Sequence, residues 1–211
     1  MHITCISDTH GLHRQLKLAP GDLLIHAGDI SEYGTEEEIF DFTRWFSRQH
    51  FTNKIFIGGN HDLFLETISV KAFRKLIGND IIYLQNSVVT IEGLKIYGSP
   101  VNQSVMGMAF GKSKGAEIRR EWRKIPTEVD ILITHEAPLS ILDNGKGCPD
   151  LKIRSEVIKP KLHVFGHVHD INGVIQQGDT LYVNAALCGN QDVLQMRPKI
   201  TNKPVIVDLL R

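Results

Sequence analysis

Apolar residues in this chain gather in short runs, and nearly every run stops at a Gly, Asp, Asn or His. His2–Ile6, Asp22–Ala27 and Lys54–Ile57 are aliphatic or β-branched and end in such loops, which predicts three strands. Between the second and third, Thr35 with Glu38 three residues on has the form of a capping box. Ile39, Phe42 and Phe46 then recur at helical spacing and give that helix a face to pack on a sheet. A second helix is expected over Ser69–Ile77. Strands alternating with helices predict βαβ units and a right-handed parallel sheet.

After Asn79 the rhythm changes. Ile81–Leu84, Val88–Ile91 and Lys95–Gly98 read as consecutive strands with turns at Asn86 and Glu92-Gly93. A helix is expected over Ala116–Lys124, and strands resume at Asp130–Thr134, Leu162–Phe165, Gly173–Gln177, Leu181–Ala185 and Val205–Leu209. So many strands in a chain of 211 residues predict one α/β domain spanning residues 1–211, with two sheets face to face and helices outside. No repeat, low-complexity tract or linker interrupts it.

Composition narrows the functions available. Lysine plus arginine equals aspartate plus glutamate at 24 each, which argues against a global electrostatic grip on a polymeric nucleic acid. No apolar stretch is long enough to cross a bilayer, and the chain enters Ile3–Ile6 without a signal-like region, so a cytoplasmic location is expected. Cys5, Cys148 and Cys188 lack CxxC spacing and are expected to be reduced bystanders.

The chemistry lies where the strands stop. Asp8-Thr9-His10, Gly28-Asp29, Gly59-Asn60-His61-Asp62, Thr134-His135 and Gly166-His167-Val168-His169 follow apolar runs in order. In open α/β sheets ligands collect beyond the carboxyl ends of strands, so five strand ends can converge on one site. Asp8, His10, Asp29, Asn60, His135, His167 and His169 would supply enough oxygen and imidazole donors for two cations sharing a bridging ligand. Hard and borderline divalent ions choose this mixture, and thiolate is missing from it. Each motif alone occurs by chance in turns; the five together in this order do not read as chance.

With D-x-H, GD, GNH(D/E), a later H and GHxH all present, the chain resembles the calcineurin-like metallophosphoesterases over nearly its whole length. The resemblance implies a four-layer α/β/β/α sandwich of two packed mixed sheets with a dinuclear metal site at the strand ends. It implies one ion on Asp8, His10 and His169, another on Asn60, His135 and His167, and Asp29 between them. It also implies His61 as the catalytic histidine, beside the metals without binding them. Ser7–Gly11, His26–Asp29, Tyr97–Pro100, Leu162–His169 and Tyr182–Ala185 are more closely similar to the branch typified by vertebrate metallophosphoesterase-domain-containing proteins of brain, a phosphodiesterase branch. Two departures stand out: residues 101–106 replace a tryptophan-rich segment, and Glu136 replaces a glycine after His135.

Two divalent ions roughly 3.5–4 Å apart lower the pKa of a bridging water and neutralise charge on phosphate oxygens. Hydroxide then attacks phosphorus in line with the leaving oxygen, and His61 is the natural general acid. Nearby metal charge opposes its protonation, so a carboxylate partner is expected, with Asp62 and Asp29 as candidates. Manganese is the expected metal, with iron, cobalt, nickel or zinc as alternatives. The family's protein phosphatases carry GDxxDRG; here Glu32 and Tyr33 stand in place of its second Asp and its Arg. A dianionic monoester gains from a guanidinium clamp that a diester does without, so a phosphodiesterase of small or nucleotide-like substrates is expected. Cyclic nucleotides are among the candidates, and Arg14 or the basic run near Arg119 could replace the missing clamp. Rivals are a phosphomonoesterase, a nuclease, or a metal-bound scaffold without turnover. Oligomeric state is left open.

Outside the motifs, His26 and His163 lie in apolar strands and are expected to be core or supporting groups, and His2 and His50 surface residues. His13 and Asn102 are candidate substrate contacts. Ser99–Gly115 is a substrate-facing lid, carrying Asn102 and Phe110, or a surface loop. Lys112, Lys114, Arg119, Arg120, Arg123 and Lys124 attract phosphate or form a solvated face.

Overall fold

The computed structural model describes residues 1–103, 106–189 and 198–209. In chain order the first half comprises β1 (His2–Ile6), β2 (Gly21–His26), α1 (Glu36–Ser47), β3 (Phe51–Phe56), α2 (Leu63–Thr67), α3 (Val70–Ile77) and β4 (Ile82–Tyr83). There follow β5 (Ser87–Ile91), β6 (Leu94–Ser99), β7 (Asn102–Gln103), β8 (Gly111–Lys112), α4 (Ala116–Trp122) and β9 (Ile131–Thr134). The remainder is α5 (Pro149–Ile158), β10 (Leu162–Phe165), β11 (Gly173–Gln177), β12 (Thr180–Asn184) and β13 (Val205–Asp208).

Two mixed sheets result. One has the order β13-β1-β2-β3-β4, parallel except for β13. The other has the order β11-β12-β10-β9-β6-β5, parallel except at its two edges. Successive strand side chains point to opposite faces, and the burial follows that alternation. Ile3, Cys5, Leu23, Ile25 and Ile55 meet Ile96, Ile131, Ile133, Leu162, Val164 and Val183 between the sheets. Ile6, Leu24 and Phe56 face the other way, against Ile39, Phe42 and Phe46 of α1 and Phe73 of α3. Tyr97 and Leu132 likewise meet Ile118 and Trp122 of α4 and Leu151 and Ile158 of α5. The layers are therefore α/β/β/α. Beyond the strand ends the sheets meet where Ser7 bridges Ala186 and Leu187 N–H donates to Ser7 O at 3.0 Å.

The predicted strands are present, His2–Ile6, Leu162–Phe165 and Gly173–Gln177 with the expected ends and the others with shifted ones, and the Thr35–Glu38 capping box is formed. Three corrections apply. Ile81–Leu84 shrinks to Ile82–Tyr83 and pairs with β3, whereas the next two runs form a hairpin in the second sheet. The helices α2 and α5 were not expected; in α5, Ile153 and Val157 face solvent, so apolar periodicity is absent. The short ladder β7–β8 was not expected either, and it lies inside the segment read as a long irregular loop.

Candidate metal centre

Each of the five motifs occupies the loop after a parallel strand: Asp8 and His10 after β1, Asp29 after β2, Asn60 after β3, His135 after β9, His167 and His169 after β10. The loops continue the ladder of the first sheet past the strands. Asp8 N–H donates to Gly28 O at 2.9 Å, and Thr9 and His10 N–H both reach Asp29 O. Gly28 has φ +100°, and a Cβ there would stand 2.6 Å from both Gly58 O and His135 Nδ1. Only glycine lets the His135 ring wedge so close to that turn.

All seven predicted donors come together, in two groups. Asp8, His10, Asp29 and His169 have ligand atoms within 4.8 Å of one another, as do Asp29, His135 and His167. In the first group His10 Nε2 is 3.3 Å from His169 Nε2 and 3.8 Å from Asp29 Oδ2, and His169 Nε2 is 3.1 Å from Asp8 Oδ1. In the second, Asn60 Oδ1 sits 2.8 Å from both His135 Nε2 and His167 Nδ1, and Asp29 Oδ2 is 3.3 Å from His135 Nε2. Asp29 belongs to both.

The donors fit a divalent cation. His135 Nδ1–H donates to Ala27 O at 3.0 Å; a carbonyl only accepts, so the proton is on Nδ1 and the Nε2 lone pair faces the group. Charge points the same way. Burial works against protonated His135, yet Asp29 and Asp8 outweigh it and raise its pKa to about 10. His10 is raised to about 9, against burial, by Glu32, Asp29 and Asp8. Conversely Asp29 is held well below the usual carboxylate range by His135 and His10, although burial opposes this. The raised values of His10 and His135 mark a place where the carboxylates attract positive charge. His167 is different: burial, aided by His135, lowers it to about 4 and leaves it a neutral donor.

His61 stands beside this centre, edge-on to His10 at 4.6 Å between ring centroids. Its backbone N–H donates to Asp29 Oδ1 at 2.8 Å and its Nδ1–H to Glu32 O at 2.8 Å. Asp62 therefore is not the partner of the His61 ring. Its buried carboxylate accepts from Gly59 N at 2.8 Å, Ile30 N at 3.2 Å, Ser31 N at 3.0 Å and Ser31 Oγ at 2.6 Å, stapling the Asp29 loop to the Asn60 loop. Burial and the Asp29 charge lift Asp62 to about 6.

Both candidate substrate contacts are buried and engaged within the fold. His13 is 1% exposed, 3.2 Å from Asp41 Oδ2, with its ring on Phe42 and Trp45. Asn102 is fully buried and donates to Pro100 O and Ala109 O, tying its own segment together. The segment Ser99–Gly115 is fastened further where Ala109 N–H donates to Asn60 O at 2.8 Å and Phe110 N–H to Glu66 Oε1 at 2.9 Å. Ser104 and Val105 lie outside the described residues. Of the basic run, Arg119 pairs with Asp150 at 2.7 Å and Lys124 with Glu121 at 2.6 Å, in the outer helix layer. His26 and His163 are buried as expected, 2.9 Å from Thr9 Oγ1 and Thr134 Oγ1 respectively, and the three cysteines are buried and free.

Two functional candidates were missed. Glu32 Oε2 lies 2.9 Å from His10 Nδ1; its signal was its place three residues after Asp29. Glu136 is fully buried and accepts from Gln103 N at 2.6 Å and Gln103 Nε2 at 3.2 Å, joining the residue after His135 to the segment 99–103.

Comparison with known proteins agrees with this geometry. The family model described as calcineurin-like phosphoesterase matches residues 1–170. The chain belongs to that family. It is 36% identical over 236 residues to the human and mouse proteins named metallophosphoesterase domain-containing protein 1, covering 97% of this chain and 70% of theirs. It is 34% identical over 214 residues to the UPF0046 protein K07C11.7 of Caenorhabditis elegans, covering 94% and 73%. Among solved structures, TT1561 of Thermus thermophilus shares the fold with a TM-score of 0.59 at 13% identity, over 87% of this chain and 88% of that one. No helix among the described residues is long and apolar enough to cross a membrane.

Proposed function

We propose that the protein is a metal-dependent phosphodiesterase acting on small or nucleotide-like diesters. The observation that carries this reading is Asp29, one carboxylate common to two converging donor groups. Asp8, His10 and His169 would hold one divalent ion, and Asn60, His135 and His167 the other. When bound, two such ions activate water and neutralise charge on the phosphoryl oxygens; manganese suits the mixed N/O set best.

The protein's own part falls mainly to His61. Its Nδ1–H is committed to Glu32 O, so Nε2 is the nitrogen that donates a proton to the leaving oxygen. The Asp29 carboxylate fixes the His61 backbone, and Asp62 fixes the two loops that carry Asp29 and His61.

Three side chains favour a diester. Tyr33 occupies the place of the family phosphatases' arginine and is 75% exposed. Arg14 is paired with Asp41 at 2.5 Å and Arg119 with Asp150 at 2.7 Å, so either guanidinium would have to leave a carboxylate to clamp a phosphate. The manganese-loaded protein is therefore expected to show a higher kcat/KM for bis-p-nitrophenyl phosphate than for p-nitrophenyl phosphate, with both activities lost on chelation. A clear monoester preference would overturn the diester assignment. Turnover by fully chelated protein would overturn the metal centre itself.

A further inference from the structure

The two halves of the centre differ in what stands behind their histidines. His10 is 4% exposed, and its Nδ1 forms a close ion-pair contact with Glu32 Oε2 at 2.9 Å; both atoms are buried and neither has a hydrogen-bond partner. A carboxylate only accepts, so the His10 proton belongs on Nδ1 and the lone pair on Nε2, the nitrogen beside His169 and Asp29. The corresponding atom of His135 faces the neutral carbonyl of Ala27. Either partner sets a tautomer and a ring orientation, but a carboxylate also makes the imidazole a more basic ligand. Charge adds to the difference. Asp29 is common, yet the His10 half has Asp8 as a ligand and Glu32 behind, whereas the His135 half has the uncharged amide of Asn60.

We infer that Glu32 is a positioning residue that holds His10 toward the Asp8–His169 half of the centre and makes that half the first to take up a divalent ion. The inference rests on the dinuclear reading above. Glu32 is well placed for it because its own backbone is anchored. Its N–H donates to Glu38 Oε1 at 3.2 Å, and Glu38 Oε2 accepts from Tyr33 N at 3.0 Å and Thr35 N at 3.2 Å. The capping box of α1 thus extends into the metal loop. The Glu32 carbonyl meanwhile holds His61. One residue therefore orients two histidines, the metal-side one through its side chain and the other through its backbone.

The test is calorimetric titration of metal-stripped protein with Mn²⁺ alone, without substrate. Wild type is expected to take up two ions in a tighter and a weaker step, and His135→Ala to keep the tighter one. Glu32→Ala should weaken the tighter step by about 10–100-fold and leave the weaker step unchanged. Glu32→Gln still accepts from Nδ1–H but lacks the charge, so it should fall between. Melting temperatures in chelator should match wild type, which separates positioning from misfolding. A tighter step unchanged in Glu32→Ala would sink the inference, and so would equal weakening of both steps or loss of the tighter step in His135→Ala. Uptake of fewer than two ions by wild type would overturn the dinuclear reading as well.

Discussion

Four donor residues hold backbone conformations that side-chain-bearing residues adopt reluctantly: Asp8 (φ 52°), His10 (φ 43°), Asp29 (φ 53°) and His167 (φ 67°). Each such residue costs on the order of 1–3 kcal/mol and persists only where its surroundings over-determine it. Here the surroundings are hydrogen bonds to the loops themselves. Gly11 N–H donates to Ile30 O at 3.0 Å, and His167 N–H reaches both Asp8 carboxylate oxygens at 3.1 Å. The strain turns these side chains inward together. His61 has no positive φ; it is absent from the two donor groups that share Asp29 and stands instead with His10 and Glu32, their ligand-type atoms within 4.8 Å of one another. His61→Ala is expected to retain both metals yet lose about 10²–10⁴-fold in rate on alkyl or nucleoside diesters, and much less on nitrophenyl esters. Equal losses on both substrate classes, with metal content intact, would show that His61 binds phosphate instead of donating a proton.

Among the elements, α1 and α5 make opposite use of their sequences. In α1 the capping box is formed, and Ile39, Phe42 and Phe46 are fully buried on one face. In α5, Pro149 opens the helix and Leu151, Ser155 and Ile158 face inward, while Ile153 and Val157 are 60% and 59% exposed. Half of its aliphatic residues thus point to water, and no helical stripe can be read from them. The consequence is measurable. Leu151→Ala should cost about 2–5 kcal/mol in urea unfolding, because it empties a packed site against Trp122 and Leu132. Ile153→Ala should stay within about 0.5 kcal/mol. Similar costs for the two would mean that α5 presents a different face to the sheet.

Across the whole molecule, the second sheet carries a buried polar chain alongside the centre. Tyr182 OH lies 3.0 Å from Ser155 Oγ, which lies 3.3 Å from His163 Nδ1, and His163 Nε2 is 2.9 Å from Thr134 Oγ1. Burial pushes the His163 pKa down to about 3 from the ordinary 6.5. Between those values the unfolded chain binds a proton that the folded chain excludes, so folding is weakened as pH falls below about 6.5. In chelator, wild type should lose about 2 kcal/mol more than His163→Gln between pH 7 and pH 5, measured by denaturant unfolding. Parallel pH curves for the two proteins would show that the folded state accepts this proton without loss.

The strand runs, the capped helix α1 and the seven residues that converge beyond the strand ends could be read from the chain alone, because they depend on local periodicity and on chemically distinctive residues at strand ends. Which atoms meet was settled by packing. His13 and Asn102 carry suitable chemistry near the centre along the chain, but the packing of α1 and the Ala109 carbonyl turn them away from it. Asp62 adjoins His61 in sequence yet serves the backbone of its own loop and of the Asp29 loop, while Glu32, 29 residues away, holds the His61 ring through a carbonyl that every residue type possesses. A backbone oxygen leaves no trace in residue identity. Nor does the facing of α5, which is set by the sheet it covers and not by its own pattern.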